Sequence, residues 1–467
     1  MFANPLAPEW LEAPAEANSL ASTVWSRNAA RAENGELTIA GVPTRELVSR
    51  FGTPVYVVDE ADAIARATEI KGAFDNEFAR IGSSVKVYYA GKAFLCTEVA
   101  RWMTAAGLNI DVASAGEMAV ALAAGTDASR LGFHGNNKSL SEIDRAVRAG
   151  IGPIVIDSVV EIGRVAEAAA RHGRTQRVRL RINSGVHAST HEYLATARED
   201  QKFGIPLTDA EQIVAQIRSH SSLEFVGIHS HIGSQIFDTA GFAEAARRLL
   251  ELHARLSMHA PVPELNLGGG FGIAYTSADQ ALPVAELAAS LANIVEAECA
   301  RLEIPVPVVA IEPGRSIIGP STTTLYTVGT IKDVLVDGEA VRKYVSVDGG
   351  MSDNIRPALY EADYSARLAN RVSEAEPALA RIAGKHCEAG DIVVRAEYLP
   401  GDVEPGDILA VPATGAYGWA MSNNYNYLAR PPVVAVRDGE ARIIVRGETE
   451  DDLLSRDAGI TPSGDSE

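Results

Sequence analysis

The chain has 467 residues, 46% of them hydrophobic and 22% charged, a balance that supports a sizeable core and more than one domain. A formal net charge of −19 argues against nucleic acid and anionic lipid as partners, since both need a basic patch. Cys96, Cys299 and Cys387 are odd in number, far apart and without a C-x-x-C, which argues against a disulfide framework or a zinc ribbon and favours a reducing cytoplasm.

The start, "MFANPLAPEWLEAPAEANSLA", lacks a basic n-region and an unbroken apolar stretch, so it does not read as a signal peptide. No apolar run is long enough to span a bilayer. The Pro/Ala/Glu-rich start and the polar "TPSGDSE" end are expected to be loose. Residues 30–50 contain an expected hairpin around an Asn-Gly turn, which could pair with a sheet further along. "TPVYVVD" follows as a strand. Then eight β-rich runs alternate with Ala-rich amphipathic runs: "VKVYYAGKA", "LNIDVAS", "LGFHG", "GPIVID", "RVRLRINS", "EFVGIHSHIG", "ELNLGGG" and "VPVVAIEPG". Such alternation implies parallel strands with crossover helices, and eight strands close a (β/α)8 TIM barrel. After about Gly319 the pattern becomes β-rich runs broken by Gly, Pro and Asp. That predicts a mainly antiparallel β domain, sandwich or barrel. The expected division is residues 1–52 as an N-terminal segment partly pairing with the β domain, 53–318 as the barrel and 319–467 as the β domain.

Barrel active sites sit at the C-terminal ends of the strands. Those ends carry Lys92, Asp111, Ser114, Asp157, His229, His231, Gly268, Gly269, Gly270, Glu312, Gly314 and Arg315, with His134 and Asn136 following "LGFHG". Each has a plainer reading. Lys92 reads as the end of a buried strand, and could simply snorkel to water. His229 and His231 share a strand face and could bind metal, but no third ligand stands out in spacing, and one of them reads as a structural histidine. "GGGFG" does not have the G-x-G-x-x-G spacing of a dinucleotide site. Glu312 could be a buried partner of Arg315. Together they point further. Glycines beside the last strands suit a phosphate. An amine opposite suits an aldehyde, provided burial brings it below its ordinary value of about 10.4. A carboxylate suits a cationic ring nitrogen. Phosphate, aldehyde and pyridine nitrogen are the three handles of pyridoxal 5'-phosphate, PLP.

"YYAGKA", "GIHSHIGSQ", "LNLGGGFGIAY", "EPGR", "DGGMSDNIRPALY", "HCEAGD" and "TGAYGWAMSNNYN" run in the order found in diaminopimelate decarboxylases. The chain from Thr53 to Tyr427 resembles that family of fold-type III PLP enzymes. The resemblance implies that Lys92 carries PLP covalently and that Glu312 keeps the pyridine nitrogen protonated. It implies that His231 stacks on the ring, and that Ser234, Gly270, Gly314 and Arg315 form the phosphate cradle. Cys387 matches the proton donor. Arg315, Arg356, Tyr360, Glu388 and Tyr417 match contacts to substrate and cofactor. Cys387 and Glu388 would reach the other subunit's site, implying a homodimer with shared sites. Ser184 stands where Pro is usual, Ser189 where His is common, and "SNNYN" departs from the expected Ser-Ser pattern.

The implied reaction is decarboxylation of meso-2,6-diaminopimelate to L-lysine and CO2, the last step of lysine biosynthesis. Arg315 and Arg356 would fork onto the distal carboxylate and Glu388 would take the distal ammonium. A glutamate beside Cys387 favours a thiol that keeps its proton; read alone, Cys387 would be a small buried hydrophobe. Three competitors remain at this stage. An ornithine or other basic amino acid decarboxylase has no distal carboxylate to bind. A racemase of the same fold would carry arginine in place of Glu312. A non-catalytic decarboxylase-like regulator would be expected to lose the lysine or the glycines.

Overall fold

The computed structural model describes residues 4–186, 202–338 and 340–460. It divides into two compact units, one of residues 64–273 and 281–317, the other of residues 1–63, 274–280 and 318–467.

The first unit is a closed parallel barrel. Its strands are, in order, Val85–Ala90, Asn109–Val112, Leu131–Phe133, Ile154–Ile156, Gln176–Asn183, Leu223–His229, Glu264–Asn266 and Val308–Ile311. Each pairs in parallel with the next, and the eighth returns to the first through Val309 opposite Val85 and Ile311 opposite Val87. The strands are apolar runs because a barrel strand is buried on both faces; the third and fourth are buried throughout. The crossover helices are amphipathic. Ala240–Ser257 buries Phe242, Ala245, Ala246, Leu249, Leu250, His253 and Leu256, an i, i+3, i+4 stripe. Leu140–Ala149 starts at a Ser139–Glu142 capping box and stops at Gly150 in the left-handed region.

The floor of the barrel holds a charge cluster. Arg179 is wholly buried and donates from Nη2 to Glu264 Oε2 at 2.6 Å and to the Tyr88 hydroxyl at 3.2 Å. Arg177 and Lys86 also reach Glu264. Burying these charges is tolerable only because they are paired.

The second unit is a mixed sheet. The 15-residue strand Thr322–Val336 is its spine. It pairs antiparallel with Val55–Asp59, Ile408–Val411 and Ala340–Val347. Most other pairs are antiparallel as well. Two are parallel: Val55–Asp59 with Val433–Arg437, and Ala340–Val347 with Pro377–Ala383.

Three expectations need correction. "TPVYVVD" is expected in the barrel segment from residue 53, but its strand is a central member of the β unit, to which residues 274–280 also belong. Ala29–Arg31 does pair with Leu37–Ile39 around Asn34–Gly35, with Gly35 at φ +81°, but these strands and Val42–Pro43 form a sheet of their own. They pack on the β unit and do not extend its ladder: Leu37, Ile39 and Val42 share a core with Val55, Leu325, Val434 and Val436. The start of the chain is tied down where it was expected to be loose. Val24 and Trp25 are buried, and Leu6, Ala7, Leu11 and Ala13 pack on Leu379, Ala396 and Tyr398. The expectations for Ser189 and for the "TPSGDSE" end lie outside the described residues.

Candidate active site

The first barrel strand stops at Ala90. Gly91 N–H then bonds to Asp111 O at 2.9 Å, and a Cβ at Gly91 would fall 2.7 Å from that oxygen. Lys92 follows this close turn and is exposed, where the sequence suggested burial. It remains close enough to the interior for its charge to act on His231, Asp111 and Glu117.

The seventh and eighth strand ends need glycine for a different reason. A Cβ at Gly269 would lie 2.1 Å from Glu312 O, and one at Gly270 would lie 2.4 Å from Gly233 O. Gly314 sits against Ala90, where a Cβ would fall 2.9 Å from that residue's own Cβ. Gly268 and Gly270 hold φ of +73° and +109°, which side chains disfavour. Beside them Arg315 Nη2 donates to Ser234 Oγ at 2.9 Å. The Gly269 N–H points to His231 Nδ1 at 3.4 Å.

Inside this rim lies a second layer. Glu312 accepts from Asn266 Nδ2 at 2.7 Å, and His229 Nε2 lies 3.1 Å from the same Oε1. His134 Nε2 sits 3.1 Å from Asp111 Oδ1 and 3.6 Å from Glu312 Oε1. The His134 and His229 rings meet edge-on, 5.1 Å between centroids. Gly132 makes room for Asp111, since a Cβ there would collide with Oδ1 at 2.3 Å. Burial, reinforced by the Glu312 charge, pushes the Asp111 carboxyl well above the usual range. Burial would also raise Glu312, but His229 and His134 outweigh it and hold that carboxyl well below the usual range. Burial lowers His134 to about 4 and lowers His229 too. Of the two buried carboxyls, Glu312 is therefore the one that ionises first. His231 is pushed well down by burial and by Lys92.

The metal reading drew on His229 and His231. The group that comes together is His134, His229 and Glu312, with ligand atoms within 4.8 Å of one another. His134 is the member that strand spacing did not reveal. Asn266 and Arg179 were likewise missed. Ser114 caps the helix Ala115–Ala123, and Asp157 accepts from Gly204 N–H, so both serve local structure.

The arrangement fits PLP. Both Asp111 carboxylate oxygens and His134 Nε2 are buried without an aligned hydrogen-bond partner, a cost that a bound polar ring would relieve. An anionic Glu312 suits the pyridine nitrogen, and the Gly270–Ser234–Arg315 rim suits a phosphate.

The β unit holds the remaining candidates. Arg356 is buried and opens the short helix Arg356–Tyr360. Its guanidinium donates to the Tyr364 hydroxyl and lies 4.4 Å above the Tyr275 ring. The hydroxyl that meets Arg356 thus belongs to Tyr364; Tyr360 was expected to share its ligand and is 58% exposed. Tyr417 sits at φ +61°, a strained conformation for a bulky residue. Cys387 and Glu388 are exposed on the loop between Pro377–Ala383 and Ile392–Pro400, so Cys387 is no buried hydrophobe.

Residues 64–319 match the family described as pyridoxal-dependent decarboxylases, pyridoxal binding domain. The chain is 50% identical to the diaminopimelate decarboxylase of Mycobacterium tuberculosis over 444 residues, covering 93% of this chain and 98% of that one. The chain belongs to the diaminopimelate decarboxylase family. The Bacillus subtilis member is 44% identical over 429 residues, 91% of this chain and 96% of the other. The crystal structure of the M. jannaschii diaminopimelate decarboxylase in complex with L-lysine aligns with a TM-score of 0.86 at 31% identity, covering 94% of this chain and 98% of that one. This chain is accordingly a PLP-dependent decarboxylase on a TIM barrel with a separate β domain.

Proposed function

We propose that the chain decarboxylates meso-2,6-diaminopimelate to L-lysine and CO2, the last step of lysine biosynthesis, and that it works as a cytoplasmic homodimer. The observation that carries the reading is Glu312 just past the end of the eighth strand, accepting from Asn266 Nδ2 and lying beside His229 and His134. The family supports the substrate. Among the described residues no helix is long and apolar enough to cross a membrane.

PLP, when bound, supplies a ring that accepts the electron pair left as the α-carboxylate departs. Glu312 places a fixed negative charge for the ring nitrogen and so keeps that nitrogen protonated. Lys92, on the turn after the first strand, would hold the cofactor through its amine. Ser234, Gly270, Gly314 and Arg315 bind the phosphate. His231, whose proton burial and Lys92 disfavour, would lie against the ring. The Cys387 thiol gives its proton to the carbon that lost the carboxylate. Glu388 receives the distal ammonium, and Arg356 forks onto the distal carboxylate. Tyr360 and Tyr417 complete the contacts. Cys387 and Glu388 serve the partner subunit's site in this scheme.

The test is CO2 release from meso-diaminopimelate, ornithine and lysine with purified protein and PLP. Release from diaminopimelate alone supports the reading. Release from ornithine or lysine in its place ends it.

A further inference from the structure

The residue before Cys387 is held by contacts that the proposed chemistry does not use. His386 is 8% exposed, although the two residues after it are exposed. Its ring uses both nitrogens. Nε2 accepts from the Ser352 N–H at 3.3 Å and lies 2.8 Å from Ser352 Oγ. Nδ1 lies 3.1 Å from Asn426 Oδ1. A backbone N–H only donates, so Nε2 is the bare nitrogen and Nδ1–H donates to the Asn426 carbonyl. Turning the Asn426 amide round would require a neutral ring to accept at both nitrogens, and it cannot. Tyr425 stacks on the imidazole at 5.3 Å and 20°.

The contacts tie three separate stretches together. Ser352 precedes Arg356 by four residues. Asn426 ends the "SNNYN" stretch, and Asn423 N–H bonds to Ser352 O at 2.8 Å. Asp391 closes the loop from its other end, accepting from Met351 N–H at 2.6 Å and His386 N–H at 2.8 Å. A Cβ at Gly384 would fall 2.1 Å from an Asp391 oxygen, so the loop has no slack there.

We propose that His386 is a positioning residue: its imidazole locks the segment bearing Cys387 and Glu388 onto Ser352 and Asn426, holding the proton donor in register with the Arg356 segment. The proposal rests on the reading of Cys387 as proton donor.

The experiment uses the PLP-loaded enzyme turning over meso-diaminopimelate in D2O. It reads kcat, KM, cofactor absorbance and the configuration of deuterium at the new C–H bond. A donor fixed on one side delivers a single configuration; a displaced donor lets solvent compete. In His386→Phe, which keeps the stack but removes both nitrogens, kcat should fall on the order of 10–100-fold, as for an ångström of misplacement. Cofactor absorbance should hold, KM should rise because Glu388 moves with the same segment, and the deuterium should scramble. His386→Asn, whose amide can replace Nδ1–H, should recover part of both losses. If His386→Phe unfolds or loses PLP, the double variant Ser352→Ala/Asn426→Ala decides by the same two readouts. A single configuration with kcat within about twofold of wild type overturns the proposal. Cys387→Ala separates the two ideas. If it scrambles deuterium and the lock variants do not, the positioning claim alone fails. If Cys387→Ala itself changes neither readout, the donor reading fails and takes the proposal with it.

Discussion

His229 Nε2 lies 3.1 Å from Glu312 Oε1, a contact that favours ionisation of Glu312 over that of Asp111. Glu312 is held down by its histidines, whereas Asp111 is pushed up by burial and by Glu312 itself. The expected outcome for His229→Ala follows from the sign. Without the histidine, burial dominates at Glu312 and its carboxyl titrates higher. Activity that needs the anion is then lost at a higher pH on acidification. The acid limb of kcat/KM should move upward while the alkaline limb stays in place. An unmoved acid limb would show that His229 does not govern Glu312.

The same depressed carboxyl predicts a stability effect. A group whose pKa is lower folded than unfolded stabilises the fold above the ordinary carboxylate range and loses that contribution as pH falls through its folded value. Glu312→Gln should therefore flatten the decline of denaturation midpoint on acidification. It should also cut kcat by about 10²–10³-fold, as expected for removing a preorganised electrostatic group. Urea titrations at several pH values and steady-state kinetics check the two halves separately.

Arg179 makes a prediction about the barrel alone. Arg179→Ala leaves Glu264 buried without its one fully buried partner, which costs about 3–5 kcal/mol. Equilibrium unfolding should register that loss. A change below about 1 kcal/mol would mean that Lys86 and Arg177 suffice for Glu264.

Arg356 tests substrate choice. Each charge-assisted hydrogen bond contributes about 1.5–3 kcal/mol, so losing a fork should lower kcat/KM for diaminopimelate by orders of magnitude. Arg356→Lys should recover little, because a point charge cannot copy the fork. PLP absorbance should stay, since the cofactor is held elsewhere. Burial against Tyr275 and Tyr364 adds a loss of thermal stability in Arg356→Ala. If kcat/KM for diaminopimelate is unchanged, Arg356 is only a packing residue.

The shared-site reading predicts complementation. Mixing Lys92→Ala with Cys387→Ala protein should restore a fraction of activity through hybrid sites. No recovery, once subunit exchange is demonstrated, would place both residues in one subunit's site.

The barrel strands were readable in the sequence because each is largely buried and ends in, or is followed within two residues by, glycine or a polar residue. Pairing partners were not. Val55–Asp59 has the composition of any buried strand, and only the folded chain shows it beside Thr322–Val336. The Lys92 position was readable but its exposure was not, because the Gly91 turn before it rests on Asp111 O of the next strand. Arg179 and Glu264 stand 85 residues apart, and nothing local marks an arginine that faces inward. His134 was noticed only as a polar residue near a strand end. Its place between Asp111 and Glu312 arises from barrel closure. Nothing local marks His386, because its partners Ser352 and Asn426 stand 34 and 40 residues away along the chain.

The measurement closest to the central claim is to load the protein with PLP, reduce it with borohydride and map the labelled peptide. The account predicts label on Lys92, and no label on that peptide in Lys92→Ala. Label on any other lysine of the wild-type chain would contradict it.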